Sequence, residues 1–307
     1  MRNGDLFMNR LKRFIGILLT LVLLIQVSLI AGDNENTQAA NRDSATWVWH
    51  AQDIMKNTNQ IIDFLVKNNV KDIYLQVDYE LDLNSYKSII EKAFANNINV
   101  HALEGSPEWV TDQGIDMQQK FFKWVTDYQN EASYNQQFRG IHLDVEPYLS
   151  EQYHSNINKN IQYYQDCLAN ALSQSENLGL SLSVSIPFWF DEVAYSTEYG
   201  EGVLAEWIIS HVKNVVIMAY RDTALGDTGI ISLVSAEMEW AKKYGAVIIV
   251  GVETQRSDEG NNIGFYEEGQ RQMNKELNRI YKSYDGTTGF GGVAIHHLTS
   301  WMKLKKA

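Results

Sequence analysis

The chain has 307 residues, of which 45% are hydrophobic, and its formal net charge at pH 7 is −12. This size and composition allow a large hydrophobic core, and so much negative charge disfavours nucleic acid and anionic lipid as partners. Cys167 is the only cysteine, which excludes an intramolecular disulfide, so stability must come from packing.

Residues 1–31 have the pattern of an export segment. Four lysine or arginine residues precede an uncharged, mostly apolar run over 14–31. A basic segment followed by such a run is typical of a signal peptide or of an N-terminal membrane anchor, and no sharp cleavage site decides between them. The sequence therefore predicts a protein that is secreted or anchored at the outer face of the cytoplasmic membrane and contacts the membrane only through this segment. It leaves the oligomeric state open.

A polar linker over 32–45 precedes a regular alternation of strand-like and helix-like segments. The eight candidate strands are 46–50, 72–78, 99–105, 140–146, 180–187, 214–220, 246–253 and 292–298. Between them lie seven stretches with apolar residues at i, i+3, i+4 and i+7, the first over 54–69, and this is the pattern of amphipathic helices. Eight strands alternating with helices predict an α/β fold, a single (β/α)8 TIM barrel over 46–307, rather than an open doubly wound sheet.

The fourth candidate strand has titratable side chains at every second position. His142, Asp144 and Glu146 alternate with aliphatic residues, so they share one strand face, which we expect to point into the barrel. The Cα atoms of Asp144 and Glu146 are then roughly 6.5 to 7 Å apart, so their carboxyl groups can touch. Two touching carboxyls cannot both ionise cheaply, and the one that keeps its proton can act as a general acid. The alternative is a structural network with His142 or Arg139.

The ends of the other strands carry further polar and aromatic residues, and in TIM barrels the chemistry lies at these ends. In chain order they are Trp49, Asp78, Glu104, Trp109, Trp189, Tyr220, Asp222, Glu253, His297 and Trp301. Aromatic rings beside carboxylates suit a sugar, because its C–H faces stack on rings and its hydroxyls need acceptors. The pattern predicts a polysaccharide or glycan substrate. The candidate stacking platforms are Trp49, Trp109, Trp189 and Trp301, although core packing is an equally good interpretation of each.

No metal or other cofactor is predicted. Three ligands that alternate along one straight strand would spread over roughly 13 Å, which is too far for a single ion. The sequence also contains no H-x-H or H-E-x-x-H motif.

The segment 139–146, RGIHLDVE, resembles the fourth-strand motif D-G-x-D-x-D-x-E of family 18 glycoside hydrolases, the chitinase-like barrels. Asp144 and Glu146 match its final D-x-E, whereas Arg139 and His142 stand where that family has its first two aspartates. The sixth strand of the family carries M-x-Y, which 218–220 matches as MAY. A Trp after the eighth strand of the family could correspond to Trp301.

This resemblance implies a retaining glycoside hydrolase that acts on an amino-sugar polymer. Glu146 would protonate the glycosidic oxygen, Asp144 would orient the substrate acetamido group for attack on the anomeric carbon, and Tyr220 would hydrogen-bond that group. No enzyme nucleophile is then required. His142 is a candidate for managing the Asp144 proton, and we expect burial and Asp144 to raise the pKa of Glu146.

The sequence is also compatible with other functions. In a two-glutamate retaining glycosidase, Glu146 would be the acid/base and Glu253, at the end of the seventh strand, would be the nucleophile. A barrel that has lost catalysis could keep a carbohydrate-binding groove, and the same scaffold could cleave amides. Asp78, Glu104, His142 and Asp222 are further candidates for contacts with the substrate.

Overall fold

The computed structural model describes residues 43–306, which contain a closed barrel of eight parallel strands. The strands are β1 Ser44–Val48, β2 Val70–Gln76, β3 Asn99–Glu104, β4 Gly140–Leu143, β5 Ser181–Pro187, β6 Ala194–Thr197, β7 Gly200–Val203, β8 Asn214–Met218, β9 Val247–Glu253 and β10 Phe290–His296. The barrel closes in the order β1, β2, β3, β4, β5, β8, β9, β10, and β6 and β7 form a separate antiparallel hairpin. The predicted (β/α)8 barrel is confirmed, whereas the hairpin was not predicted.

Helices connect the successive strands of the barrel. They are α1 Ala51–Lys56, α2 Thr58–Lys67, α3 Leu83–Ala95, α4 Gly114–Glu131, α5 Ile157–Asn177, α6 Leu204–His211, α7 Ile230–Leu233, α8 Ser235–Tyr244, α9 Gln270–Ser283 and α10 Leu298–Lys303. The helix predicted over 54–69 is broken at Asn57, whose φ of −138° is not helical. Asparagine readily leaves helical geometry because its side chain competes for backbone hydrogen bonds.

The strands present one face to the helices and the other to the barrel axis. The axial face holds a compact layer of buried side chains that includes Trp47, Tyr74, Leu103 and Val216. The Tyr74 ring stacks on the imidazole of His142, with ring centroids 3.8 Å apart. Since this layer fills the interior, a ligand must bind above it, at one end of the barrel.

The predicted export segment, 1–31, lies outside the described residues, as does most of the predicted linker. The first strand begins at Ser44, slightly earlier than expected. Within residues 43–306, no helix combines the length and apolar character needed to cross a membrane.

Candidate active site

A cavity of about 550 Å³ opens at the carboxyl ends of β4, β5, β8 and β9. Its lining includes Glu146, Tyr148, Pro187, Trp189, Met218, Tyr220, Arg221, Glu253, Gln255, Arg256, Asp258 and Glu259. These residues come from loops that follow four different strands and meet at one end of the barrel. That end is where TIM barrels place their ligands.

Asp144 and Glu146 leave the end of β4 side by side. The backbone N–H of Asp144 donates to the carbonyl of Glu104 over 3.0 Å, which extends the pairing of β3 and β4 beyond the last ladder residue. Oδ1 of Asp144 is buried and has no hydrogen-bond partner among the described residues. Burial first, and then the charge of Glu146, raise the pKa of Asp144 to about 7, against opposing contributions from His296 and the Ser185 hydroxyl. Asp144 is therefore the member of the pair that holds a proton near neutral pH.

His142 lies beneath this pair and is completely buried. Its Nδ1 is 2.7 Å from the Ser183 hydroxyl, and its Nε2 is 2.8 Å from the Ser185 hydroxyl. Burial lowers the pKa of His142 well below its ordinary value, so the ring is neutral. His142 reaches Asp144 only through the Ser185 hydroxyl, which hydrogen-bonds to both side chains. Management of the Asp144 proton by His142 stays a prediction.

Two tyrosines and a tryptophan form the aromatic wall of the cavity. The hydroxyl of Tyr148 donates to Oε1 of Glu146. Trp189 packs edge-on against Tyr148, with ring centroids 5.0 Å apart, and remains partly exposed. Burial, and then the carboxylate of Glu253, raise the pKa of Tyr220, so its hydroxyl stays protonated and can donate. Tyr148 was not predicted as a site residue, because it lies beyond the strand, in the short 3-10 helix Pro147–Leu149, where alternation gives no signal.

Glu253 ends β9 in register with His296 on β10. Its Oε2 is 2.8 Å from Nδ1 of His296, and its Oε1 accepts from the backbone N–H groups of Thr254 and Gln255 over 2.7 and 2.6 Å. On the other side of the imidazole, the indole N–H of Trp49 is 2.9 Å from Nε2. Trp49, His296 and Glu253 thus form one hydrogen-bonded chain across the ends of β1, β10 and β9.

The inward-facing histidine of the eighth barrel strand is His296, not His297. Its neighbour in the same phase, Ala294, lies in the axial layer, so alternation along β10 turns His296 inward. His297 lies outside this cavity, where its Nε2 is 3.2 Å from the side-chain oxygen of Gln255. The prediction of His297 as the strand-end residue of the site is therefore wrong by one position along β10.

Two of the four predicted stacking platforms are wrong. Trp109 is 4% exposed and packs against Phe121, while Trp301 is 4% exposed and packs edge-on against Phe64. Both rings fill space between helices and sheet and therefore offer no face to a sugar. Trp49 and Trp189 remain partly exposed at the open end of the barrel.

Three predicted carboxylates lie near the open end of the barrel but do not line the cavity. Asp78 accepts from the backbone N–H of Glu80 and from the side chain of Gln52. Glu104 accepts from Gln76 and Tyr79. Asp222 is absent from the lining of the cavity, and burial and the nearby carboxylate of Glu276 raise its pKa while Arg221 lowers it. Hydrogen bonds within the protein therefore occupy the carboxylates of Asp78 and Glu104.

Gly105 lets the loop after β3 pass close to the backbone of Asp144. A Cβ atom at this position would lie 2.3 Å from the backbone oxygen of Asp144. Any side chain at 105 would therefore push Asp144 out of place. Within residues 43–306, no cluster of three or more histidine, cysteine or acidic side chains could hold a metal ion.

No protein-family model matches the chain, and no curated protein matches it in sequence. The fold is similar to solved structures. A GH18 chitinase from Cycas revoluta in complex with (GlcNAc)3 aligns with a TM-score of 0.50 and 12% identity, over 85% of this chain and 96% of the chitinase. The spore cortex-lytic enzyme SleL of Bacillus cereus aligns with the same TM-score and identity, over 85% of this chain and 73% of its own. At such low identity the likeness establishes a shared barrel fold.

Proposed function

We propose that the chain is a divergent chitinase-like glycoside hydrolase that cleaves an amino-sugar polymer. The observation that carries this proposal is the Asp144–Glu146 pair, recessed at the cavity beside Tyr148 and Tyr220, with a proton retained on Asp144 up to about pH 7. Fold similarity to a chitinase crystallised with (GlcNAc)3 and to a spore cortex-lytic enzyme supports the substrate class.

The proposed reaction uses the acetamido group of the substrate as its nucleophile. When substrate binds, the proton held by Asp144 passes to Glu146. The acetamide oxygen attacks the anomeric carbon while the glycosidic C–O bond breaks, and Glu146 donates this proton to the departing oxygen. Asp144, now ionised, stabilises the positive charge that develops on the acetamide nitrogen, and the Tyr220 hydroxyl donates to the acetamide. Water then attacks the cyclic oxazolinium ion, Glu146 takes up the proton of that water, and the anomeric configuration is retained.

The geometry favours this reaction over a double displacement through Glu253. A nucleophilic carboxylate needs a free lone pair aimed at the anomeric carbon. Both oxygens of Glu253 already accept hydrogen bonds, one from two backbone amides and the other from His296. Such contacts stabilise the ionised carboxylate and lower its nucleophilicity. Glu253 and His296 are better suited to orienting a sugar hydroxyl.

A binding barrel without catalysis is the second candidate, because arginine and histidine occupy the positions of two family aspartates. The buried proton argues against it. Holding a carboxyl group in a recessed site costs stability, and a lectin-like groove gains nothing from that cost.

The test is incubation of the purified protein with a panel of amino-sugar and neutral polysaccharides, followed by analysis of new reducing ends. We expect new ends only from polymers that contain N-acetylated sugars. Binding of these polymers with no new ends would favour the binding barrel, whereas cleavage of neutral polysaccharides alone would refute the acetamide mechanism.

We further propose that the basic and apolar segment over 1–31 exports or anchors the protein, so that this activity is directed at a wall or surface polymer outside the cytoplasmic membrane. Fractionation of the producing cells is the test. Full-length protein in the cytosol would contradict the proposal.

A further inference from the structure

A second cavity, of about 690 Å³, adjoins the first one. It lies between the loop after β9 and the C-terminal segment that follows α10. Gln255 and Arg256 line both cavities, so a chain of sugars could pass from one to the other along this shared wall. The second cavity is at least as large as the first, and no step of the proposed reaction uses it.

The two cavities differ in charge. The catalytic cavity is lined by the carboxylates of Glu146, Glu253, Asp258 and Glu259 together with two arginines. The second cavity is lined by Arg256, Lys303 and Lys305 and by one carboxylate, Glu267. Among residues 43–306, none of these three cations forms an ion pair with a carboxylate, although Lys305 is close enough to Glu268 to oppose the rise of its pKa on burial. Three cations against one carboxylate in the lining of one cavity are notable in a chain with a net charge of −12, and they focus a positive potential there.

The second cavity also offers a ring and a firm wall. Tyr266 is 49% exposed and lines the cavity, so its face is available to a sugar ring. The C-terminal segment is held in place, because Leu304 is buried and the backbone oxygen of Lys305 accepts from the N–H of Gln270 over 2.8 Å. Lys303 and Lys305 therefore extend from an anchored segment.

We propose that this second cavity binds a carboxylate-bearing sugar of the same polymer, next to the sugar at the catalytic pair. The inference rests on the proposed function for the identity of the polymer as an amino-sugar glycan. The aromatic ring contacts the sugar face, and Arg256, Lys303 and Lys305 contact the carboxylate. The protein thus prefers an acidic amino-sugar polymer to a neutral one, and it still accepts the neutral polymer.

The test measures binding in the Glu146→Gln form of the full chain, so that no ligand is consumed. The probes are hyaluronan oligosaccharides, which carry both N-acetyl and carboxylate groups, and the same oligosaccharides with their carboxyls reduced to alcohols. We expect carboxyl reduction to raise the Kd by about tenfold or more, the scale of one well-placed charged hydrogen bond. The Kd ratio is the Kd for the reduced oligosaccharide divided by the Kd for the native one. Adding Lys303→Gln and Lys305→Gln should bring this ratio close to one.

The matched control is Lys67→Gln with Lys242→Gln, which removes the same charge from the last turns of α2 and α8, at the opposite end of the barrel. It should leave the ratio as in the parent. A Kd ratio of one in the parent would overturn the proposal. So would a control variant whose Kd ratio falls as much as that of the Lys303→Gln, Lys305→Gln variant. Phosphorylated chitin oligosaccharides that bind more tightly than hyaluronan, in a manner lost with Lys303 and Lys305, would also overturn it, by assigning a phosphate ligand.

The outcome is independent of the polysaccharide panel. If the protein cleaves N-acetylated polymers but the Kd ratio is one, the proposed function stands and the acidic subsite is refuted. If the protein cleaves no polymer but the Kd ratio is large and depends on Lys303 and Lys305, the proposed hydrolase activity is refuted and the acidic subsite stands.

Discussion

The indole Nε1 of Trp49 lies 2.9 Å from Nε2 of His296, and this contact fixes the proton of the imidazole. An indole N–H can only donate, so Nε2 must accept and the ring proton must sit on Nδ1. Nδ1 faces Oε2 of Glu253 at 2.8 Å and donates to it. Trp49, directly after β1, thereby orients the imidazole that contacts Glu253 at the end of β9.

Replacing Trp49 by phenylalanine removes the indole N–H, so the His296 ring should no longer be held in one tautomer. Nitrogen NMR of the His296 ring should show a protonated Nδ1 and a bare Nε2 in the parent and a mixture of tautomers in Trp49→Phe, with kcat lower by roughly tenfold because Glu253 loses its fixed orientation. Trp301→Phe is the matched control, since the buried Nε1 of Trp301 has no partner among the described residues. An unchanged His296 spectrum in Trp49→Phe would contradict the assignment.

Asp144→Asn should make the protein more stable at neutral and alkaline pH. The folded chain keeps the Asp144 proton up to about pH 7, whereas the unfolded chain loses it near pH 3.8. Between these values ionisation favours the unfolded chain, so the unfolding free energy of the parent falls as pH rises and levels off above about pH 7. The substitution removes this fall and should gain up to about 4 kcal/mol at pH 8.

Urea denaturation at pH 4 and at pH 8 measures the effect, with the exposed Asp63→Asn as control. Parallel stability curves for the parent and Asp144→Asn would show that Asp144 does not hold the proton.

The sequence predicts the barrel and the inward-facing Asp144–Glu146 pair because both depend on local periodicity. Alternation over His142, Asp144 and Glu146 puts all three on the inner face, and the same rule turns Ser183 and Ser185 toward His142, with which Ser183 is in register. These inferences need only the fact that successive strand side chains point in opposite directions.

Other parts of the site depend on information that a single sequence does not carry. The choice between His296 and His297 depends on the phase of β10, and one residue of error reverses it. Position at a strand end does not reveal burial, so Trp109 and Trp301 look the same in the sequence as Trp189. Tyr148 reaches Glu146 from a turn that has no periodic pattern.

Gly105→Ala should reduce activity by a hundredfold or more, because its Cβ would collide with the Asp144 backbone and displace the pair. Gly202→Ala on the hairpin is the control, since its Cβ would meet only the Tyr195 ring at 3.3 Å. The readout is kcat on a defined oligosaccharide, with the melting temperature measured alongside. Full activity of Gly105→Ala would show that close approach of the β3 loop is not required.

The most direct test of the central claim compares two matched substitutions, Glu146→Gln and Glu253→Gln, by kcat on the N-acetylglucosamine pentamer. The claim predicts that Glu146→Gln loses about a thousandfold or more, because the leaving sugar is deprived of its proton, and that Glu253→Gln loses far less, because it removes only orientation. Equal turnover by Glu146→Gln and the parent would contradict the claim. So would an inactive Glu253→Gln enzyme whose turnover is restored by azide.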